Sequence, residues 1–407
     1  MGVIIRGFMN NHHIVPADPN KLAEVASLFL RLGFTAFGGP AAHIAMMRTE
    51  VVQRRQWISD ERFLDLLSVV NLIPGPNSTE LAIYLSYLRA GWPGLLVGGV
   101  CFIGPAMLIV LAFAWLYVQY GSLPQTTWLL YGIKPVVIAI IAQALWGLCR
   151  TGMKSVWPVA LAALVFVLYL LGINVLLLLL GGGLLFGIVR WLQRRQKGAV
   201  LSIGLPFSFI GVAETARMFT ATEPLTSITL AAIPISLPIL FLTFLKIGAV
   251  LYGSGYVLLA FLHTDFVSGL GWLTDRQLLD AISVGQFTPG PVFTTATFIG
   301  YLVAGWQGAL LATLAIFLPS FAFIPLIHPL ATRLRRSPWT SALLDGVNIA
   351  ALALMAGVLF QLGQSALIGV LTWAIALVSL GILLRFKINS AWLIAAGAVV
   401  GFLRFWL

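Results

Sequence analysis

Apolar runs of 18 residues or more recur from one end of this 407-residue chain to the other, and each is long enough to cross a hydrocarbon layer about 30 Å thick. Backbone N–H and C=O groups in lipid must be satisfied within the segment, so the runs are expected to be helices. Charged residues make up only 9% of the chain, against about 25% in a soluble domain, which excludes the soluble classes. The formal charge of +11 would suggest nucleic acid in a soluble protein. Here the basic residues lie in short loops: Arg48, Arg54, Arg55 and Arg62; Arg190, Arg194, Arg195 and Lys197; Arg333, Arg335 and Arg336. That placement follows the positive-inside rule, so the expected partner is the lipid bilayer and not nucleic acid. Cys101 and Cys149 both fall in apolar segments and outside any C-x-x-C pair, which supports neither a disulfide framework, a zinc site nor a redox motif. The opening MGVIIRGFMNNHHIVPADPNK has no continuous apolar core and no small-residue cleavage site, so no removable signal peptide is expected.

The sequence matches itself at an offset of 215 residues, which brings Phe29 onto Phe244, Trp57 onto Trp272, Asp65 onto Asp280 and Pro74-Gly75-Pro76 onto Pro289-Gly290-Pro291. After a one-residue gap the offset becomes 214, pairing Ala90-Gly91-Trp92 with Ala304-Gly305-Trp306 and Pro105 with Pro319. The chain is therefore two homologous halves, 1–197 and 235–407, joined by a linker of mixed polarity, 198–234, expected in the cytoplasm. Apolar segments fall at 22–47, 61–90, 91–120, 126–149, 155–171 and 172–192, and again at 235–262, 276–304, 305–330, 338–361, 365–384 and 389–407. If the second segment of each half enters and leaves on one side, all the basic loops of the first half share a face. Each half then crosses an odd number of times, and the halves lie upside down relative to each other. The expected fold is an all-α polytopic membrane protein, an inverted-topology repeat of about ten spanning helices plus two re-entrant, broken hairpins. Six crossings per half, giving a parallel repeat, is the rival count.

The breaks carry the functional reading. Residues 71–80 read NLIPGPNSTE and residues 286–295 read QFTPGPVFTT. Proline lacks an N–H and clashes with the preceding turn, so each Pro-Gly-Pro ends one helix and permits another to begin. Irregular backbone in mid-membrane survives only when buried in protein or lining a cavity. A helix starting near Asn77, and another near Val292, would aim free N–H groups and a partial positive charge into the interior, where an anion can bind. Ser78, Thr79, Thr294 and Thr295 add hydroxyls suited to a tetrahedral oxyanion or to capping. The alternative is a packed kink with no ligand. Arg31 and Lys246 occupy equivalent places inside the first segment of each half. Each is either a ligand of the anion or a side chain snorkelling to the interface. Glu80 reads as the last member of a capping box begun at Asn77, or as a proton carrier beside the anion. Asp65 and Asp280 are proton-coupling candidates too, or partners for Arg62 and Arg276. His43 is expected to pack or face a loop.

These stretches also carry a family likeness. FTAFGGPAAHIAMMRTEVV, RRQWISDERFLDLLSVVNLIPGPNSTE and RAGWPG resemble the first half of a chromate transporter of the CHR family, in its long two-domain form. GAVLYGSGYVLLAFL, GWLTDRQLLDAISVGQFTPGPVFTTATFIGYLVAGW and IFLPSFAFIP resemble the second half. The resemblance implies a bacterial-type inner-membrane protein that expels chromate and confers resistance to it, with sulfate as the competing dianion. It implies no cofactor and no metal site, because chromate is bound through its oxygens. A homodimer is compatible with it. A transporter of sulfate or another oxyanion, with chromate as an accidental substrate, is the second reading, and a membrane-embedded enzyme is the reading of another class. It would need a cofactor motif, metal ligands or a nucleophile–base pair, and five scattered histidines with two isolated cysteines supply no recognisable set. No P-loop occurs in the sequence, so transport is expected to be secondary.

Overall fold

The computed structural model describes residues 18–121, 123–153, 155–196, 234–252, 255–327, 338–386 and 388–403. The linker expected at 198–234 lies outside them except for residue 234, as do the basic loop 333–336 and Gly253. The first half contains α1 (Pro19–Thr35), α2 (Gly39–Arg48, continued by a wider turn Thr49–Arg54), α3 (Asp60–Val70), α4 (Asn77–Tyr120), α5 (Pro124–Gly152), α6 (Val156–Leu170) and α7 (Val175–Gln196). The second contains α8 (Leu237–Val250), α9 (Leu258–Leu262, continued by His263–Gly269), α10 (Asp275–Phe287), α11 (Thr295–Ile327), α12 (Pro338–Ala366), α13 (Val370–Arg385) and α14 (Ser390–Leu403). No strand occurs among the described residues. Among the described residues, five helices are long and apolar enough to cross a membrane, and five shorter apolar helices run 10–17 residues.

The repeat is visible in local geometry as well as in sequence. Ser59 caps α3 through the amide of Arg62 at 3.2 Å. At the equivalent position Thr274 caps α10 and completes a capping box with Gln277. Arg31 pairs with Glu50 at 2.5 Å, and its repeat mate Lys246 pairs with Asp265 at 2.7 Å. Arg48 pairs with Asp60 at 2.6 Å, where the second half has His263 beside Asp275 at 2.9 Å. The Arg48 hydrogen bond holds the exposed Asp60 carboxyl below its ordinary pKa.

Two segments read as continuous are broken. The run 22–47 stops at Thr35, passes through extended Ala36, and restarts at Gly39. The backbone turns there because Gly38 and Gly39 have φ of 103° and 76°, a region glycine enters without penalty. Pro40 then opens α2. The run 235–262 breaks likewise after Val250, with Leu251 extended. Hydropathy could not show either break, since the flanking residues are apolar on both sides.

Helix α4 is not one rod. Gly91 adopts φ 64° and ψ −151°, and in α11 Gly305 adopts φ 62° and ψ −152°. A methyl group on Gly94 would lie 2.3 Å from the carbonyl oxygen of Ser86, and one on Gly308 would lie 2.2 Å from that of Gly300. Residues eight apart in a straight helix are separated by about 12 Å, so each helix doubles back at its Ala-Gly pair. The short arms 77–89 and 295–303 therefore lie against the long arms 92–120 and 306–327.

Packing interleaves the halves. Helix α1 runs along α4, α8 runs along α11, and α4 and α11 meet. Helix α5 is covered by α13 and α14 of the second half, while α12 is covered by α6 and α7 of the first. Each half thus lends its last two helices to the other.

Candidate functional site

The two Pro-Gly-Pro loops are held by the opposite half. The amide of Gly75 donates to the carbonyl of Leu251 at 2.7 Å, and the amide of Gly290 donates to that of Ala36 at 2.8 Å. Leu251 and Ala36 are themselves repeat equivalents, each the first residue past its helix. Helix interruption leaves their carbonyls unpaired, and glycine alone lets a backbone approach closely enough to satisfy them. At Gly75 (φ 139°) a methyl group would fall 2.3 Å from Glu80 Oε1; at Gly290 (φ 87°) it would fall 2.7 Å from Ala106 Cβ. Tyr252 adds a third link, donating from its hydroxyl to the carbonyl of Leu72 at 2.7 Å.

Around the first loop the helix start at Asn77 faces inward. The amides of Asn77 and Ser78 have no backbone acceptor among the described residues, and Pro76 supplies no side-chain cap. The hydroxyl oxygen of Thr79 is buried without a hydrogen-bond partner among the described residues. Ser78 lies beside His43, whose Nε2 donates to the carbonyl of Ala36 at 3.0 Å, leaving Nδ1 to accept from Ser78 Oγ at 3.4 Å. His43 thus joins the first helix break to the first Pro-Gly-Pro, a role the sequence signalled only by a lone polar residue in an apolar stretch.

Glu80 does not form the expected capping box. Its carboxylate turns against Gly75, accepts from Ser320 at 3.4 Å, and keeps Oε2 buried with no hydrogen bond among the described residues. The tight turn at Gly75 brings the carboxylate to the loop rather than to the Asn77 amide.

The second loop is more closed. Pro289, Gly290, Pro291, Thr294 and Thr295 are all buried. The two threonine hydroxyls donate to the carbonyls of Pro291 and Val292 at 2.7 and 2.8 Å. As donors they are already engaged within their own turn. Gln286, the repeat equivalent of Asn71, is buried, its amide nitrogen without a partner among the described residues.

The remaining expected residues lie apart from this cluster. Arg31 and Lys246 are roughly half exposed and engaged by Glu50 and Asp265. Neither is shown touching a Pro-Gly-Pro loop. Asp65 is exposed on α3, whereas Asp280 is fully buried on α10, 2.9 Å from Lys134 and 2.9 Å from the donating hydroxyl of Tyr117. Arg276 is therefore not its closest cation. Lys134 was missed in the sequence, although a single lysine inside the apolar run 126–149 is itself a signal of a buried partner.

The helix start at Asn77, whose first amides have no backbone acceptor among the described residues, is the kind of terminus at which anions bind. The profile described as "Chromate transporter" matches residues 23–188 and 239–402, one match in each half. A chromate transport protein of Cupriavidus metallidurans is 35% identical over 94% of this chain and 93% of its own length. A probable chromate transport protein of Synechococcus elongatus is 32% identical over 90% and 91%. A chromate transport protein of Pseudomonas aeruginosa is 28% identical over 95% and 93%. No solved structure matches.

Proposed function

The chain belongs to the chromate transporter family, and from that premise we propose that it exports chromate across the inner membrane and so confers resistance to it. Transport is secondary, by alternating access around the two broken helices. The observation that carries this reading is the reciprocal pair of hydrogen bonds, Gly75 to Leu251 and Gly290 to Ala36. Each half closes on the interruption of the other, so a movement of one half changes the setting of both breaks.

In this reading the oxyanion sits at the amides of Asn77 and Ser78 and the hydroxyl of Thr79, framed by Pro74-Gly75-Pro76. The second loop, Pro289-Gly290-Pro291 with Thr294 and Thr295, forms the opposing wall. Glu80 is the group we assign to proton coupling, since one of its buried oxygens has no partner among the described residues. Sulfate, of the same charge and shape, is the expected competitor.

The test is chromate flux into everted membrane vesicles, with and without a proton gradient and with sulfate present. Uptake above vesicles lacking the protein supports export, and its response to the gradient and to sulfate reports coupling and selectivity. Absence of uptake by folded protein overturns chromate export.

A further inference from the structure

Between α5, α7 and α12 lies a cavity of about 570 Å³, within the size range of small-molecule sites. Its polar wall includes Asn71, Asn77, Ser155, Arg190, Asp345 and Asn348. Asn71 and Asn77 flank the first Pro-Gly-Pro loop and bond to each other, the side-chain Nδ2 of Asn77 donating to Oδ1 of Asn71 at 2.8 Å. The cavity therefore reaches the helix start at which the anion is placed above.

A second cleft of about 510 Å³ lies beside α10, walled by Tyr117, Ile133, Ser283, Phe287 and Ile394. Its lining includes no charged side chain. Asn348 of the first cavity corresponds to Lys134, which is turned into its ion pair with Asp280. Asn71, exposed in the first cavity, corresponds to buried Gln286. The first break thus borders a polar cavity through Asn71 and Asn77, whereas neither Gln286 nor the second Pro-Gly-Pro lines the apolar cleft.

Arg190 is the cation of the polar cavity. Its guanidinium stacks over Phe186 at 5.2 Å and stands 3.9 Å from the Asp345 carboxylate, far enough to leave donors free. Both side chains are about half exposed. Arg190 also begins the basic cluster expected on the cytoplasmic face.

We infer that this cavity is the entrance for the oxyanion from the cytoplasm, and that Arg190 recruits the substrate there in competition with Asp345. The inference rests on the export reading above. A positive group at the mouth of a cleft raises the local concentration of a dianion, and a neighbouring carboxylate opposes it. Arg190 and Asp345 thus act with opposite signs on the same step.

The experiment uses full-length protein in everted vesicles, with variants Arg190→Gln, Arg190→Lys and Asp345→Asn checked for wild-type elution in detergent. Arg190→Gln raises the KM for chromate about fivefold or more with the maximal rate retained, Arg190→Lys stays near wild type, and Asp345→Asn lowers KM. Ser155→Cys, exposed on the cavity wall, supplies a second readout. Its labelling by an anionic methanethiosulfonate added to the cytoplasmic face is slowed by chromate. Wild-type KM in Arg190→Gln, or equal loss of maximal rate in both charge variants, overturns the inference, as does labelling that chromate leaves unchanged. Because labelling needs no flux, export can fail while chromate protection still supports the vestibule, and the reverse result removes the vestibule alone.

Discussion

The amide of Gly75 donates to the carbonyl of Leu251 at 2.7 Å, across 176 residues of chain and from one half of the protein to the other. Gly290 repeats the relationship with Ala36. Both glycines also have positive φ, so each is constrained by its turn and by the closeness of what faces it. Gly75→Ala and Gly290→Ala are expected to abolish chromate flux, while Gly104→Ala and Gly147→Ala, where a methyl group meets nothing within 4 Å, leave it intact. Flux per unit of folded protein in vesicles checks this. Wild-type flux in Gly75→Ala would show the contact to be incidental.

The prolines of the same loops end the helices. Pro74→Ala and Pro289→Ala are expected to impair transport more than expression, because alanine permits the preceding helix to continue into the loop. Comparing flux with the amount of protein in the membrane decides the matter, and normal flux in both variants argues against a site at the breaks.

Hydroxyl chemistry differs between the loops. Thr79→Val removes an unpartnered donor and is expected to raise the KM for chromate about tenfold, the loss of one good hydrogen bond to a charged group. Thr294→Val removes a hydroxyl already bonded to Pro291 and is expected to change KM less. Equal effects would place both hydroxyls on the substrate.

Arg31 and Lys246 are held by carboxylates, and not equally. Glu50 keeps Arg54 and Arg55 within 4 Å when Arg31 is removed, whereas Lys246 is the only cation bridging Asp265 among the described residues. Lys246→Gln is therefore expected to lower Tm by roughly 2 °C, and Arg31→Gln by less. Thermal unfolding in detergent measures both. Weaker apparent anion affinity without loss of stability would return the two cations to the binding site.

Lys134 and Asp280 form a pair inside the protein, where removing one partner strands the other. Asp280→Asn or Lys134→Gln alone is expected to cost about 3–5 kcal/mol, and the double variant distinctly less than their sum. A double-mutant cycle on unfolding supplies the coupling. Additive losses would mean that the two charges do not sense each other.

Much of this was legible in the residues. Length and apolarity of the runs determine helices because lipid offers the backbone no other partner. Pro-Gly-Pro determines a break wherever it falls, since a missing N–H and a fixed φ are covalent properties. Self-similarity revealed the two halves, and Ala90-Gly91-Trp92 with its mate even marked where each long helix doubles back. What the residues did not disclose was where side chains go once the halves interleave. Arg31 read equally as an anion ligand or a snorkelling side chain, and its pairing with Glu50 was not legible. Glu80 read as a cap, yet its carboxylate lies against Gly75. Lys134 passed unnoticed although Asp280 lies against it. Equivalent residues Asp65 and Asp280 met opposite fates, one exposed and one buried. The sequence by itself determined the class, the repeat and the breaks, because those follow from covalent chemistry and solvent. Only the tertiary structure decided which charges are engaged and which of two clefts is polar, because each depends on contacts between residues far apart in the chain.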